Sequence, residues 1–288
     1  MIERSFSPEV PIPEVRRARG CRLYTADGGR FVDLWQDGGA AILGRSAPGL
    51  LTVLKDTASR GLLSPLPHPS GRRFESALAR LFPGSAFRVY ADSCAADAAL
   101  SGAGYDSRGL AGFSDPAMAD SALGDSGPED ASDKGPCSLW RPWLDAVPDP
   151  AAHRILSPVL PLPWPCRPIV LVLAPGDAGA FPPSDLLAPV VLAGAARAVH
   201  DLAAALPVRR LRAFRSIETV LSASPWARNG VYLRLRDPRD AERYDAYFGY
   251  FLSAGFLLPP RPSSPLILPA ELSPGEAASL ARALSFRP

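Results

Sequence analysis

Lysine is nearly absent from this sequence. Only Lys55 and Lys134 occur, and arginine supplies the rest of the 31 basic residues. Chemistry that needs a lysine amine therefore has two places to reside. Cysteine is scarce as well: Cys21, Cys94, Cys137 and Cys166 are widely spaced and form no Cys-x-x-Cys pair. That spacing argues against a zinc site and against a disulfide-stapled secreted domain. No apolar run approaches the roughly 18 residues of a membrane-spanning helix, and the charged start MIERSFSPEVP lacks the apolar core of a signal peptide. A net charge of +2 gives no electrostatic case for nucleic acid or an anionic membrane as partner. The expected location is the cytoplasm.

What is present suits a globular protein. Hydrophobic residues make up 47% and charged ones 21%, and a chain of this length can bury one large core and one small one. The one local basic cluster, Arg209, Arg210, Arg212 and Arg215, reads as a solvated helix face.

Read in order, residues 1–19 are an extended arm, because Pro8, Pro11 and Pro13 each remove a donor and disfavour helix before them. Arg22–Thr25 and Arg30–Trp35 flank Asp27-Gly28-Gly29, a strong hairpin signal. A glycine-rich loop follows, Asp37-Gly38-Gly39-Ala40-Ala41, ending at Leu43-Gly44-Arg45. Ser46 is placed to cap a helix that has Pro48 in its first turn and Gly61 past its end, with Leu50, Leu51, Leu54 and Ala58 on one face and Lys55 beside it. A second helix follows Ser70 with Phe74, Ala77, Leu78 and Leu81 at helical spacing, after His68 in a loop.

Ala86–Ala91 is expected to be the first strand of the main sheet, and the turn from Asp92 to Asp97 enters a helix. Residues 101–137 are rich in Gly, Ser, Asp, Pro and Ala without period, which predicts a flexible loop. The proline-rich stretch 138–168, with Leu139-Trp140-Arg141-Pro142-Trp143 and His153, reads as ordered loop. Ile169–Ala174 is a buried strand, and a helix runs from about Pro189 to Leu206 with His200 flanking its apolar stripe. Val231, Leu233 and Leu235 alternate with polar residues as a half-buried strand; Asp237-Pro238 opens a helix stopped by Gly255. Phe256–Leu258 and Leu266–Leu268 are short strands, and Ser273-Pro274-Gly275-Glu276 is a capping box.

The stretch from Gly20 to Pro83 and the segment from Phe248 to Leu268 resemble pyridoxal-phosphate (PLP) enzymes of fold type I. The likeness is to class III aminotransferases, the glutamate-1-semialdehyde aminomutase branch included, and it covers about 20–100 and 186–288. It implies an α/β, aminotransferase-like fold (PLP-dependent transferase fold type I): a reduced large domain over 20–206 after the arm 1–19, and a small C-terminal α+β domain over 207–288. In that family the turn after the first sheet strand reads Ser-Gly-(Thr or Ser)-Glu-Ala and holds the cofactor phosphate at a helix N-terminus. Here only Ser93 stands at its matching position; Cys94 replaces the glycine and Ala95 the hydroxyl. Ser93, Cys94 and Ala95 thus mark a residual phosphate cradle. Arg45 stands where the family usually has histidine.

Transamination on PLP requires a Schiff-base lysine, a carboxylate on the pyridine nitrogen and that cradle. Lys55, on a helix, and Lys134, in Asp133-Lys134-Gly135, match neither the family's strand-to-loop lysine nor its context. No matching carboxylate pair occurs. The expectation is an inactive, degenerate aminotransferase homologue with no catalytic residue, PLP being implied by resemblance alone. Its role would be structural or regulatory, as a homodimer or with a full-length relative, away from nucleic acid and membranes. The alternative is a PLP-binding enzyme that uses a residue other than lysine, His153 or His200.

Overall fold

The computed structural model describes residues 12–105, 108–118, 137–145, 154–208 and 215–288. In chain order the strands are β1 (Val15–Arg19), β2 (Arg22–Thr25), β3 (Arg30–Asp33), β4 (Ala86–Tyr90), β5 (Cys137–Trp140), β6 (Ile155–Pro158), β7 (Ile169–Leu173), β8 (Trp226–Asn229), β9 (Tyr232–Leu235), β10 (Phe256–Leu257) and β11 (Leu266–Ile267). The helices are α1 (Pro48–Ser59), α2 (Ser70–Leu81), α3 (Ser93–Gly102), α4 (Pro189–Ala205), α5 (Arg215–Leu221), α6 (Tyr244–Ser253) and α7 (Pro274–Leu284). The chain divides into two compact units, the first combining Met1–Ser46, Trp143–Asp145 and Arg209–Pro288, the second Ala47–Pro142 and Ala146–Val208. Residues 20–46, which the sequence reading joins to the segment ending at 206, thus lie with the C-terminal part of the chain.

In the first unit, β1, β2 and β3 form an antiparallel meander and β10 adds to β3 in parallel. The hairpin turns where the sequence places it, with Gly28 at φ +87°. A second antiparallel sheet has the order β11-β9-β8. Its strand β9 departs from the expected alternation, because Tyr232 is as buried as Leu233. The helix expected from Asp237 begins as a 3-10 turn over Pro238–Arg243 and becomes α-helical only at Tyr244. From α6, Tyr247 and Phe251 each meet Trp226 edge-to-face at 5.7 and 5.8 Å, and Phe251 also meets Phe256 at 6.4 Å. Edge-to-face pairs align ring edges with the negative faces of their neighbours and add to the burial of large apolar area. Gly230 is a glycine of necessity: at φ +62°, a β carbon would lie 1.8 Å from the Trp143 carbonyl. That carbonyl accepts from Val231 N–H, while Asp145 Oδ2 accepts from Gly230 N–H.

In the second unit, the sheet order is β4-β7-β6-β5. Strands β5 and β6 replace what the sequence predicts as ordered loop. Each is four residues long; β6 is buried along its whole length and ends in Pro158, and β5 alternates in burial but reads Cys-Ser-Leu-Trp, so neither sequence alternates apolar with polar. The segment expected to be a flexible loop is structured where it is described: α3 reaches Gly102, a 3-10 turn covers Gly109–Gly112, and Ser114 bridges Ser138 in parallel. On the helical side, α4 packs against α1 and α2. Ser46 does not cap α1; Ala47 holds the cap position and makes no side-chain bond. Leu51, expected on the apolar face, is 40% exposed. Thr57 is buried instead, its hydroxyl donating to the Val53 carbonyl.

Candidate functional site

Strands β4 and β6 are both antiparallel to β7, and β5 is parallel to β6, so β4, β5 and β6 point the same way. Their carboxyl ends, Tyr90, Trp140 and Pro158, share one edge of the sheet. Open α/β sheets hold ligands at that edge. Each strand delivers a different group there.

After β4, the chain enters α3 through Asp92, the N-cap, whose Oδ1 accepts from Ala95 N–H at 2.9 Å. The first amides of a helix have no intrahelical partner and attract an anion. Asp92 supplies one from within the chain. A phosphate arriving here would compete for the Ala95 amide and meet the Asp92 charge. Ser93 and Cys94 are exposed and Ala95 is half-buried, so the three residues of the expected cradle do sit on the first turn. Their donor set does not fit a cofactor phosphate: a carboxylate is already bonded there, Ala95 has no hydroxyl, and Cys94 brings a side chain where close backbone approach favours glycine.

After β5, Arg141 is 5% exposed and forms a two-pronged ion pair with Asp115: Nε to Oδ1 and Nη2 to Oδ2, both 2.8 Å. The fork-to-fork geometry satisfies both groups at once. After β6, Leu160, Pro161 and Leu162 are buried, and the connection to β7, residues 159–168, contains no lysine, histidine or carboxylate. The edge presents a self-capped helix, a closed ion pair and an apolar strap.

Other residues singled out by the sequence are dispersed. Lys55 is exposed on α1. Lys134, His153, Arg209, Arg210 and Arg212 lie outside the described residues. His68 closes the start of α2: its Nδ1 accepts from Ser70 N–H at 3.2 Å and lies 2.9 Å from Ser70 Oγ. In the first unit, Arg45 Nε donates at 2.7 Å to Oδ2 of Asp33, a carboxylate only 1% exposed. Its Oδ1 accepts from the amides of Trp35 and Gln36. Arg45 therefore secures the glycine-rich turn, in which Gln36 and Asp37 take positive φ. Among the described residues no group of three or more His, Cys, Asp and Glu could hold a metal ion.

One cavity of the second unit has a different character. A cleft of about 550 Å³ lies along α2 and α4. Arg72, Arg73, Ser76 and Arg80 of α2 line it, with Arg197 and His200 of α4; Val53 of α1, the start of α2 and small residues of α4 also border it. Arg72, Ser76 and Arg80 recur every four residues, one stripe of a helix. Arg197 lies over Gly49 of α1, where a β carbon would come within 2.5 Å of Nη2. It also pairs with Asp201 one turn on, at 2.9 Å. The sequence reading missed this cluster. The one-turn spacing of Arg72, Ser76 and Arg80 is the signal the sequence carries for it.

Comparisons with known proteins place this geometry. No family model matches the chain. Over 77 residues it is 48% identical to an uncharacterized protein of Treponema pallidum, a match covering 27% of this chain and 25% of that protein. Over 69 residues it is 33% identical to a glutamate-1-semialdehyde 2,1-aminomutase of Sorangium cellulosum, covering 24% of this chain and 16% of that one. The chain thus spans a quarter or less of the length of these relatives. Among solved structures, an omega-transaminase from Sphaerobacter thermophilus aligns with TM-score 0.66 and 12% identity, over 98% of this chain and 91% of that chain. An acetylornithine aminotransferase from Elizabethkingia anophelis aligns with TM-score 0.67 and 13% identity, over 96% and 94%. The chain has the mixed α/β fold of the aminotransferases, as the resemblance implies.

Proposed function

We propose that this aminotransferase-fold chain is catalytically silent and serves a structural or regulatory role. One observation carries the reading: at the carboxyl edge of the sheet, the helix N-terminus that would receive an anion is already bonded to Asp92. The inventory of amines supports it. A Schiff base needs an unprotonated lysine held in a desolvated site, whereas Lys55 is exposed on α1 and the only other lysine, Lys134, stands in the polar run Asp133-Lys134-Gly135. Of the two histidines of the alternative reading, His200 lines the arginine cleft on α4 and not the carboxyl edge of the sheet. On this reading no cofactor is retained, and the protein works in the cytoplasm, paired with a second copy or with a full-length aminotransferase-like relative. No described helix is long and apolar enough to cross a membrane.

The test is incubation with PLP, borohydride reduction and mapping of the modified peptide. The expected result is no stoichiometric adduct. A stoichiometric adduct on Lys134 or Lys55 that is discharged by an amino donor would overturn the proposal. Sedimentation at micromolar concentration tests the pairing separately, and a well-behaved monomer that also fails to bind a relative would remove it.

A further inference from the structure

Like charges gathered on one helix stripe repel, by a few tenths of a kcal/mol per pair at one-turn spacing in isolated helices. Chains commonly relieve this with acids at neighbouring positions. The α2 stripe is not relieved in that way. Among the described residues no ion pair is made by Arg72, Arg73 or Arg80. Glu75, the only acid in α2, faces a separate hollow with Ser76, Ala79 and Phe87. No carboxylate lines the cleft itself. Asp201 lies outside the lining and is committed to Arg197.

We propose that this cleft binds a soluble small molecule carrying two or more phosphate groups. The geometry suits such a ligand in three ways. Arg72 and Arg80 stand about 12 Å apart along the helix axis, from the 1.5 Å rise per residue, so their flexible side chains can engage the two ends of a diphosphate or longer anion. Arg197 faces them from α4, held over Gly49 and by Asp201. Guanidinium groups match phosphate oxygens two at a time, which a point charge does not. The volume of about 550 Å³ falls within the range of small-molecule sites. The cleft does not involve the carboxyl edge of the sheet, so the proposal stands whether or not that edge is catalytically silent.

The test is calorimetric titration of the full chain with sodium pyrophosphate at low ionic strength, with sulfate at matched ionic strength as the control anion. One saturable site is expected for pyrophosphate, and much weaker, unsaturated binding for sulfate. The Arg72→Gln/Arg80→Gln variant should lose at least about tenfold in affinity, losing one bidentate contact at each end. Arg72→Lys/Arg80→Lys, which keeps charge and loses the fork, should fall between. Arg239→Gln, an exposed arginine of the first unit, should bind within about twofold of the parent. Thermal unfolding of each variant without ligand separates lost binding from lost structure. Absence of a saturable site, equal binding of sulfate, or equal weakening by Arg239→Gln would overturn the proposal and reduce the cleft to a solvated helix face.

Discussion

The N-termini of α7 and α3 begin with the same local device and end in opposite situations. At α7, Ser273 Oγ accepts from Glu276 N–H and the Glu276 carboxylate accepts from Ser273 N–H, a reciprocal box. The hairpin then adds two cations: Arg22 bonds both carboxylate oxygens at 2.9 and 2.7 Å, and Arg30 approaches within 3.4 Å. At α3, Asp92 caps Ala95 N–H alone and is exposed. A helix cap stabilises locally by about 1 kcal/mol. A cap carboxylate clasped by arginines from a distant strand ties two parts of the chain together. The difference shows that one unit uses its helix terminus as a tertiary joint, while the other uses it only to finish a helix and close off an anion position.

The largest effect should follow from breaking the joint. Arg22 holds the Glu276 carboxyl down to about 2, well below its ordinary 4.5. A shift of that size sets a ceiling of about 3 kcal/mol, which solvent screening of this partly exposed cluster lowers. Glu276→Ala, which removes the box and both ion pairs, should lower stability by up to that amount in denaturant unfolding, and a loss below about 1 kcal/mol would mean the cluster is merely local. The same shift gives a pH signature. Because the folded value lies below the unfolded one, the stabilisation is complete above about pH 4.5 and disappears as pH falls through about 2. Glu276→Gln should flatten that part of the stability profile, and a parallel acid loss in the variant would assign it to other groups.

At α3 the expected change is smaller. Asp92→Ala should cost about 1 kcal/mol in denaturant unfolding, the ordinary value of an N-cap. A loss near that of Glu276→Ala would show that α3 too has a tertiary partner. The smallest effect belongs to the unpaired stripe of α2. Arg72→Gln/Arg80→Gln should change unfolding free energy by no more than about 0.5 kcal/mol without ligand, since no ion pair to these arginines is lost among the described residues. A clear destabilisation would place these arginines in the fold's own framework.

Local signals determined a good part of this protein from sequence. Asp27-Gly28-Gly29 specifies a hairpin because glycine tolerates positive φ, and Gly28 adopts it. Ser273 to Glu276 specifies a capping box within one turn. The apolar periods of α2 and α4 and the β-rich run of β7 likewise need only neighbours along the chain. The turn at Asp92 into a helix is read from sequence, and the structure adds its cap bond to Ala95 N–H. The inventory of two lysines also required no structure. What the tertiary structure alone decided is non-local. Strands β5 and β6 exist because β6 pairs with β7 and β5 with β6; β6 is buried on both faces and leaves no alternation to read. Arg22 and Glu276 are 254 residues apart, and Asp33 finds Arg45 only once the glycine-rich turn has folded back. The arginine cleft joins stripes from α2 and α4, more than 100 residues apart in sequence. Charge complementarity across such distances depends on chain reversal and packing, to which local periodicity is blind.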